Sequence, residues 1–151
     1  MITTQDLIKL KQPDTSILVS SPLSERFSPR VYASDPIPEN DLMKIFEAAR
    51  WSPSAMNAQP WFFYYAVRGT KSFDLIAQTL MQGNEWATQA PLLIVACYIT
   101  QDESKYESYA KYDLGQAVLS LVLQAQLLGY HGRQMAGFNK LQLLESLQLP
   151  P

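Results

Sequence analysis

The chain is short of the residues from which most enzyme sites are built. Its 151 residues include one cysteine, Cys97, and one histidine, His131. A single thiol forms no internal disulfide, and a reducing compartment, the cytoplasm, suits it best. One residue of each kind cannot assemble a Cys/His zinc site, so no metal is expected. Only six glycines are present, and none falls in a G-x-G-x-x-G pattern, which argues against a Rossmann dinucleotide fold. Gly132 and Gly137 have the separation of a phosphate loop, but Phe138-Asn139 follows where Lys-Ser/Thr belongs. A Ser/His/Asp triad would need His131, which lacks a nucleophile elbow nearby. Long apolar runs are missing too, and Met1 to Leu10 carries Asp6 and Lys9 and no signal-peptide pattern. With a net charge of −2, neither nucleic acid nor a membrane is an expected partner. An enzyme so equipped would take its difficult chemistry from a borrowed cofactor.

What is present is an ordinary globular composition, 47% hydrophobic and 17% charged, in a length that makes one domain with one substantial core. A short helix fits Thr4 to Lys11, ended by Pro13-Asp14, and Ser16-Ile17-Leu18-Val19 is apolar but too short to classify. Pro38-Glu39-Asn40-Asp41 opens a clear helix that runs to about Trp51, with Leu42, Ile45, Phe46 and Ala49 on one face. Trp61 to Val67 reads as an aromatic strand closed by Arg68-Gly69. Lys71 to Gln82 predicts a second amphipathic helix with Phe73, Ile76 and Leu80 inward and Gly83 as its cap. Asn84 stands at an N-cap position. After Pro91, Leu92 to Tyr98 predicts a central, fully buried strand carrying Cys97 as an inert core thiol. Gln101 to Lys111 is polar, a loop or a ragged helix start. Tyr112 to Gly129 then gives the longest helix, apolar nearly all round apart from Gln126 and a stripe at Gln116, Ser120 and Gln124. In so small a domain such a helix calls for a second subunit to bury it. Asn139 caps a last helix with Leu141, Leu144 and Leu147 as its apolar positions. Helices around two strands, without βαβ alternation, predict an α+β fold with a small sheet, and two strands alone are too few for a stable one.

Two polar stretches stand out from this scaffold. In Arg26-Phe27-Ser28-Pro29-Arg30 two arginines four apart flank a serine, a set of donors suited to phosphate, although a solvated basic helix end reads the same way. Trp51-Ser52-Pro53-Ser54-Ala55-Met56-Asn57-Ala58-Gln59-Pro60-Trp61 joins helix to strand. Its prolines fix their own φ and push Ser52 and Gln59 towards extended geometry, so that Ser54, Asn57 and Gln59 can present hydroxyl and amide groups to an uncharged, planar ligand. Composition alone favours a plain surface loop between helix and strand.

These stretches resemble the FMN-dependent nitroreductases. Arg26 to Arg30 is similar to the family's Arg-x-Ser-x-Arg signature, and Ala48 to Trp61 to its Pro-Ser-x-x-Asn-x-Gln-Pro-Trp block. Tyr112-Asp113-Leu114-Gly115, the long helix and Gln134-Met135-Ala136-Gly137-Phe138 resemble its central helix and flavin-edge turn. The resemblance runs from about Leu23 to the C-terminus. It implies a homodimer with the long helix at the interface, a mostly antiparallel sheet, and two FMN sites shared between subunits. Arg26, Phe27, Ser28 and Arg30 would hold the FMN phosphate, ribityl chain and adjacent ring edge, with Arg30 stabilising the reduced flavin. Pro53, Ser54 and Asn57 would line the ring from the opposite subunit, Asn84 would bond its pyrimidine edge, and Ala136 and Gly137 would offer backbone N–H groups to N5. The implied activity is hydride transfer from NAD(P)H through the flavin to nitroaromatics, quinones or similar small acceptors, by ping-pong turnover. A catalytically inactive flavin-binding dimer and specialised flavin chemistry are the alternatives. His131 and Arg133 flank the turn, touching substrate or facing solvent. The family continues beyond this point with another sheet strand and an arm that embraces the partner, and both are expected to be missing from these 151 residues.

Overall fold

Proline, acids and the 3.6-residue period place α2 where the chain adopts it. The computed structural model describes residues 3–11, 16–17, 19–99 and 107–148. Among them the elements run α1 (Thr4–Lys11), α2 (Glu39–Arg50), β1 (Trp61–Val67), α3 (Lys71–Ala77), β2 (Leu92–Tyr98), α4 (Glu107–Leu127) and α5 (Lys140–Ser146). Single turns of 3-10 helix occupy Ala55–Asn57 and Glu85–Gln89. Pro38 precedes α2 at φ −58°, Glu39 and Asp41 sit in its first turn and Arg50 in its last, all favourable to the helix dipole. Its buried stripe of Leu42, Ile45 and Ala49 follows the expected spacing. Ile45 and Ala49 meet Ala117, Leu121, Val122 and Ala125 of α4 in one core cluster. The Tyr130 hydroxyl donates to Asp41 Oδ2 at 2.9 Å, tying the start of α2 to the chain just beyond α4.

β1 and β2 pair antiparallel in a register from Trp61 opposite Tyr98 to Val67 opposite Leu92. The Phe46 ring of α2 lies 5.9 Å from Phe63 and 5.3 Å from Tyr65, so part of the aromatic density of β1 packs on α2, while Phe62, Tyr64 and Tyr65 stay exposed. The expectation of a fully buried β2 needs correcting. Within β2 only Leu93 is buried, because β1 is the single strand beside it among the described residues. A cavity of about 310 Å3 borders β2 and is lined across from it by residues 131–135. Cys97 is half-buried, and burial raises its thiol pKa, which keeps it protonated and unreactive.

Two further boundaries differ from the sequence reading. The helix α3 ends at Ala77 and not at Gln82, because a distant segment takes the next backbone groups. Asn139 N–H donates to Thr79 O at 2.7 Å, Met81 N–H to Gly137 O at 3.0 Å, and Leu80 bridges Phe138. α4 starts at Glu107, so charged residues extend it by one turn and more. α5 is capped by Asn139 Oδ1, which accepts from Gln142 N–H at 3.1 Å. Leu143 is its buried residue and Leu141 stays exposed. With the cap fixed, Leu143 and Leu147 face a second cluster made by Ala66, Phe73, Ile76, Ala87 and Leu93.

A single chain covers one side of α4. Ala110, Asp113, Ala117, Leu121, Val122, Ala125 and Gln126 are buried, whereas Tyr109, Tyr112, Leu119 and Leu127 are exposed. No helix among the described residues is long and apolar enough to cross a membrane.

Candidate functional site

The turn between α2 and β1 is held in a shape that few side chains adopt unaided. Met56, Asn57 and Gln59 all have positive φ, at 53°, 56° and 47°. Left-handed backbone costs a non-glycine residue about 1–2 kcal/mol, and clusters of it mark functional turns. Internal and external bonds hold it. The Ser54 hydroxyl accepts from Gln59 N–H at 3.0 Å, and Gln59 Nε2 donates to Asn57 Oδ1 at 2.9 Å. Ser54 and Gln59 therefore also shape the turn from within. Three contacts then fix the turn to α4. The hydroxyls of Ser52 and Ser120 lie 2.7 Å apart, the Ser52 hydroxyl also reaches Gln116 O at 3.4 Å, and Ala55 N–H donates to Asp113 Oδ2 at 3.0 Å. The polar stripe on α4 is thus the seat of this turn. Pro53, Met56 and Asn57 remain exposed.

A second group forms at the opposite end of α4 from three stretches far apart in sequence. Gly129, at φ +88°, ends the helix and sends the chain back past Val122, with Gly132 close against it. Arg133 Nη1 donates to Ser28 O at 3.0 Å, and its guanidinium lies 4.9 Å from the centre of the Trp86 ring, which stacks on Tyr32. Arg133 therefore faces protein, joining the 26–32 stretch to the 84–86 stretch. Arg26 Nη1 donates to Ser28 Oγ at 3.3 Å, while Ser28 and Arg30 are exposed. Phe27 packs on His131 with ring centres 4.5 Å apart. Asn84 makes no side-chain cap bond; its Nδ2 donates instead to Gly137 O at 2.8 Å. A Cβ at position 137 would collide with that same amide nitrogen, so any side chain there would push the Asn84 amide out of this bond. The N–H groups of Ala136 and Gly137 donate to no acceptor among the described residues.

No hydrogen bond or ring contact among the described residues joins these two groups within one chain. Residues 26–30, 84 and 136–137 come together; residues 53, 54 and 57 lie with α4. Sequence reasoning missed the seam residues Tyr32, Trp86 and Asp113 as parts of the site. For Asp113 a signal existed, an acid at the head of an otherwise apolar helix. Tyr32 and Trp86 carried none beyond being aromatic.

His131 Nδ1 is buried without a hydrogen-bond partner among the described residues, and burial lowers the imidazole pKa from its ordinary 6.5. Below that value the unfolded chain binds a proton that the folded chain resists, so the stability from this group is complete above about pH 6.5 and falls as pH drops. Asp41, Glu47 and Glu85 have lowered carboxyl pKa values, caused chiefly by Lys44, by Arg50 and by the Glu85 and Gly83 backbone N–H groups respectively. Their losses begin only lower, below about pH 4.5. Urea midpoints measured from pH 7.5 to 5 should therefore decline, and His131→Phe should flatten the decline. A flat profile in the parent protein contradicts this assignment.

A long helix open on one side, a small antiparallel sheet, and loops rich in arginine and amides at the helix ends define the nitroreductase-like α+β fold. A profile of the nitroreductase family matches residues 23–80. A crystal structure described as an oxidoreductase containing FMN aligns with a TM-score of 0.83 and 33% identity, over 99% of this chain and 76% of that one. A nitroreductase family protein from Clostridium novyi NT aligns with a TM-score of 0.74 and 25% identity, over 85% of this chain and 74% of that one. The chain belongs to the nitroreductase family. It is also 29% identical over 104 residues to an Archaeoglobus fulgidus protein provisionally named NADH dehydrogenase/NAD(P)H nitroreductase. That match takes in 69% of this chain and 59% of the relative, so the chain spans little more than half the length of this curated relative.

Proposed function

We propose that this chain is one single-domain subunit of a homodimeric, FMN-dependent oxidoreductase that uses NAD(P)H to reduce small acceptors. The observation that carries the reading is the division described above. One chain gathers a cationic and amide-bearing half-site, and holds the other half-site apart on α4, beside a helix face with four exposed large side chains. A second copy docked on that face would bring the two halves together.

The donor set fits FMN. Arg26, Ser28 and Arg30 offer two guanidinium groups and a hydroxyl to a phosphate and ribityl chain. Asn84 offers an amide to a uracil-like edge, and the unpaired N–H groups of Ala136 and Gly137 suit a ring nitrogen. Glycine at 137 lets backbone approach without a side chain intervening. When bound, FMN would supply hydride acceptance from NAD(P)H and hydride donation to a nitroaromatic, a quinone or a similar acceptor, in alternate half-reactions. The chain's residues would bind and orient. Arg26 and Ser28 would anchor the phosphate end, and Arg30 would supply positive charge near the pyrimidine ring. Phe27, Pro53, Ser54 and Asn57 would wall the ring and exclude water from it.

The test is spectroscopic. The purified protein is incubated with FMN, freed of excess, and its visible spectrum recorded anaerobically before and after NADH or NADPH, then after a quinone. Retained yellow colour that bleaches with the nicotinamide and returns with the quinone is the expected result. Retained FMN that neither nicotinamide bleaches would identify a flavin-binding dimer without the reductase activity. No retained FMN would overturn the cofactor assignment.

A further inference from the structure

Among the described residues, Asp113 is the one charged side chain that is buried, at 3% exposure. An interior carboxylate is unfavourable unless donors satisfy it. It has two: Ala55 N–H at 3.0 Å and Gln116 Nε2 at 3.5 Å. The first matters for what it orients. Ala55 opens the 3-10 turn Ala55–Asn57, and Ser54, at the capping position, does not cap it; its hydroxyl accepts from Gln59 N–H instead. The cap comes from α4, 58 residues further along the chain. A carboxylate there takes a charge-assisted bond from the first N–H of a helical turn whose following residues, Met56 and Asn57, are held left-handed. One residue before Pro53 and three residues before Ala55, Ser52 is clamped to Ser120, two helical turns along from Asp113. The segment Pro53-Ser54 is thereby fixed at both ends to a single face of α4.

We propose that Asp113 is a positioning residue for the cofactor-facing turn, its carboxylate fixing the backbone from which Pro53, Ser54 and Asn57 reach the ring. The assignment rests on the proposed flavin site for its functional meaning, while its structural part stands on the geometry alone. Asp113 touches neither cofactor nor substrate. It acts through the Ala55 N–H, and because it lies on α4 it links the placement of the turn to the helix whose open face is the proposed dimer surface.

Three variants test this: Asp113→Ala, Asp113→Asn and Ser120→Ala. Asp113→Ala should weaken FMN binding, followed by quenching of flavin fluorescence, about tenfold, and alter the visible circular dichroism of whatever flavin is bound. Asp113→Asn, whose Oδ1 still accepts from Ala55 N–H, should recover most of both signals. A purely stabilising role would lower the melting temperature of both variants without changing affinity or the dichroism of the bound ring. FMN affinity within twofold of the parent in a folded Asp113→Ala protein overturns the proposal. Should that variant fail to fold, Ser120→Ala decides: altered flavin dichroism at an unchanged melting temperature supports it, and unaltered dichroism overturns it. Amide hydrogen exchange in FMN-free parent, Asp113→Asn and Ser120→Ala proteins gives a readout independent of the cofactor. Faster exchange at Ala55 and Gln59 in Ser120→Ala, with Asp113→Asn close to the parent, supports the clamp even if the parent binds no FMN. Unchanged exchange in Ser120→Ala refutes it.

Discussion

Leu119→Asp should convert the proposed dimer to a monomer and remove FMN binding with it. Leu119 lies midway along α4 and is 45% exposed in a single chain, so an aspartate there is tolerated by the monomer. In a twofold interface the same change places a carboxylate in each subunit against an apolar partner surface. An unpaired charge buried in this way costs about 3–5 kcal/mol, and symmetry applies it twice. The dimer dissociation constant should therefore rise by at least about ten-thousandfold. Sedimentation velocity at micromolar concentration reads the mass, and far-UV circular dichroism confirms that the monomer is folded. Loss of FMN binding should follow because the turn at 53–57 and the cluster at 26–30, 84 and 136–137 are separate in one chain. A folded Leu119→Asp monomer that still retains FMN would show the cofactor site to be complete within one subunit, against the proposed function.

The second large effect concerns Arg26. Its guanidinium already donates to Ser28 Oγ at 3.3 Å, which holds the two proposed phosphate donors together before any ligand arrives. A charge-assisted hydrogen bond to phosphate contributes about 1.5–3 kcal/mol. Arg26→Ala should therefore weaken FMN binding roughly tenfold to a hundredfold. Riboflavin, which lacks the phosphate, should bind the parent and the variant equally, and the dimer should persist. The comparison of FMN with riboflavin by fluorescence quenching separates lost phosphate recognition from general damage. Equal losses for both ligands would place the phosphate elsewhere.

Local rules made much of this fold legible. The limits of α2, β1 and β2 follow from a proline, the Arg68-Gly69 turn or a change of period beside each element, all within a few residues of the boundary. Where the reading failed, the deciding partner was distant. α3 stops at Ala77 because residues 137–139 take the hydrogen bonds of residues 79–81. Periodicity within Lys71 to Gln82 contains no trace of that competition. In α5 the leucines at 141, 143, 144 and 147 allow more than one inward face, and the surface they meet selects Leu143. Glu107 to Lys111 joined α4 without an apolar pattern to announce it.

The candidate site divides in the same way. Arg26 to Arg30 and the turn after Trp51 could be picked out by residue type, since arginine forks and paired prolines carry their chemistry in short windows. The bonds that assemble them could not. Arg133 meets Ser28 across 105 residues, and Asn84 meets Gly137 across 53. Ser54 and Gln59 also bond within the strained turn, a use of their polarity that no short window of sequence announces.

The outer side of β2 has a consequence for handling the protein. Seven successive residues, Leu-Leu-Ile-Val-Ala-Cys-Tyr, carry neither charge nor proline, and among the described residues they are paired along one side only. Such an edge is a template for fibrillar stacking, with each added chain repeating the ladder of the last. Crowded stocks would therefore lose material by growth from folded molecules, at temperatures well below the melting transition. Shelf life would depend on concentration more than on heat.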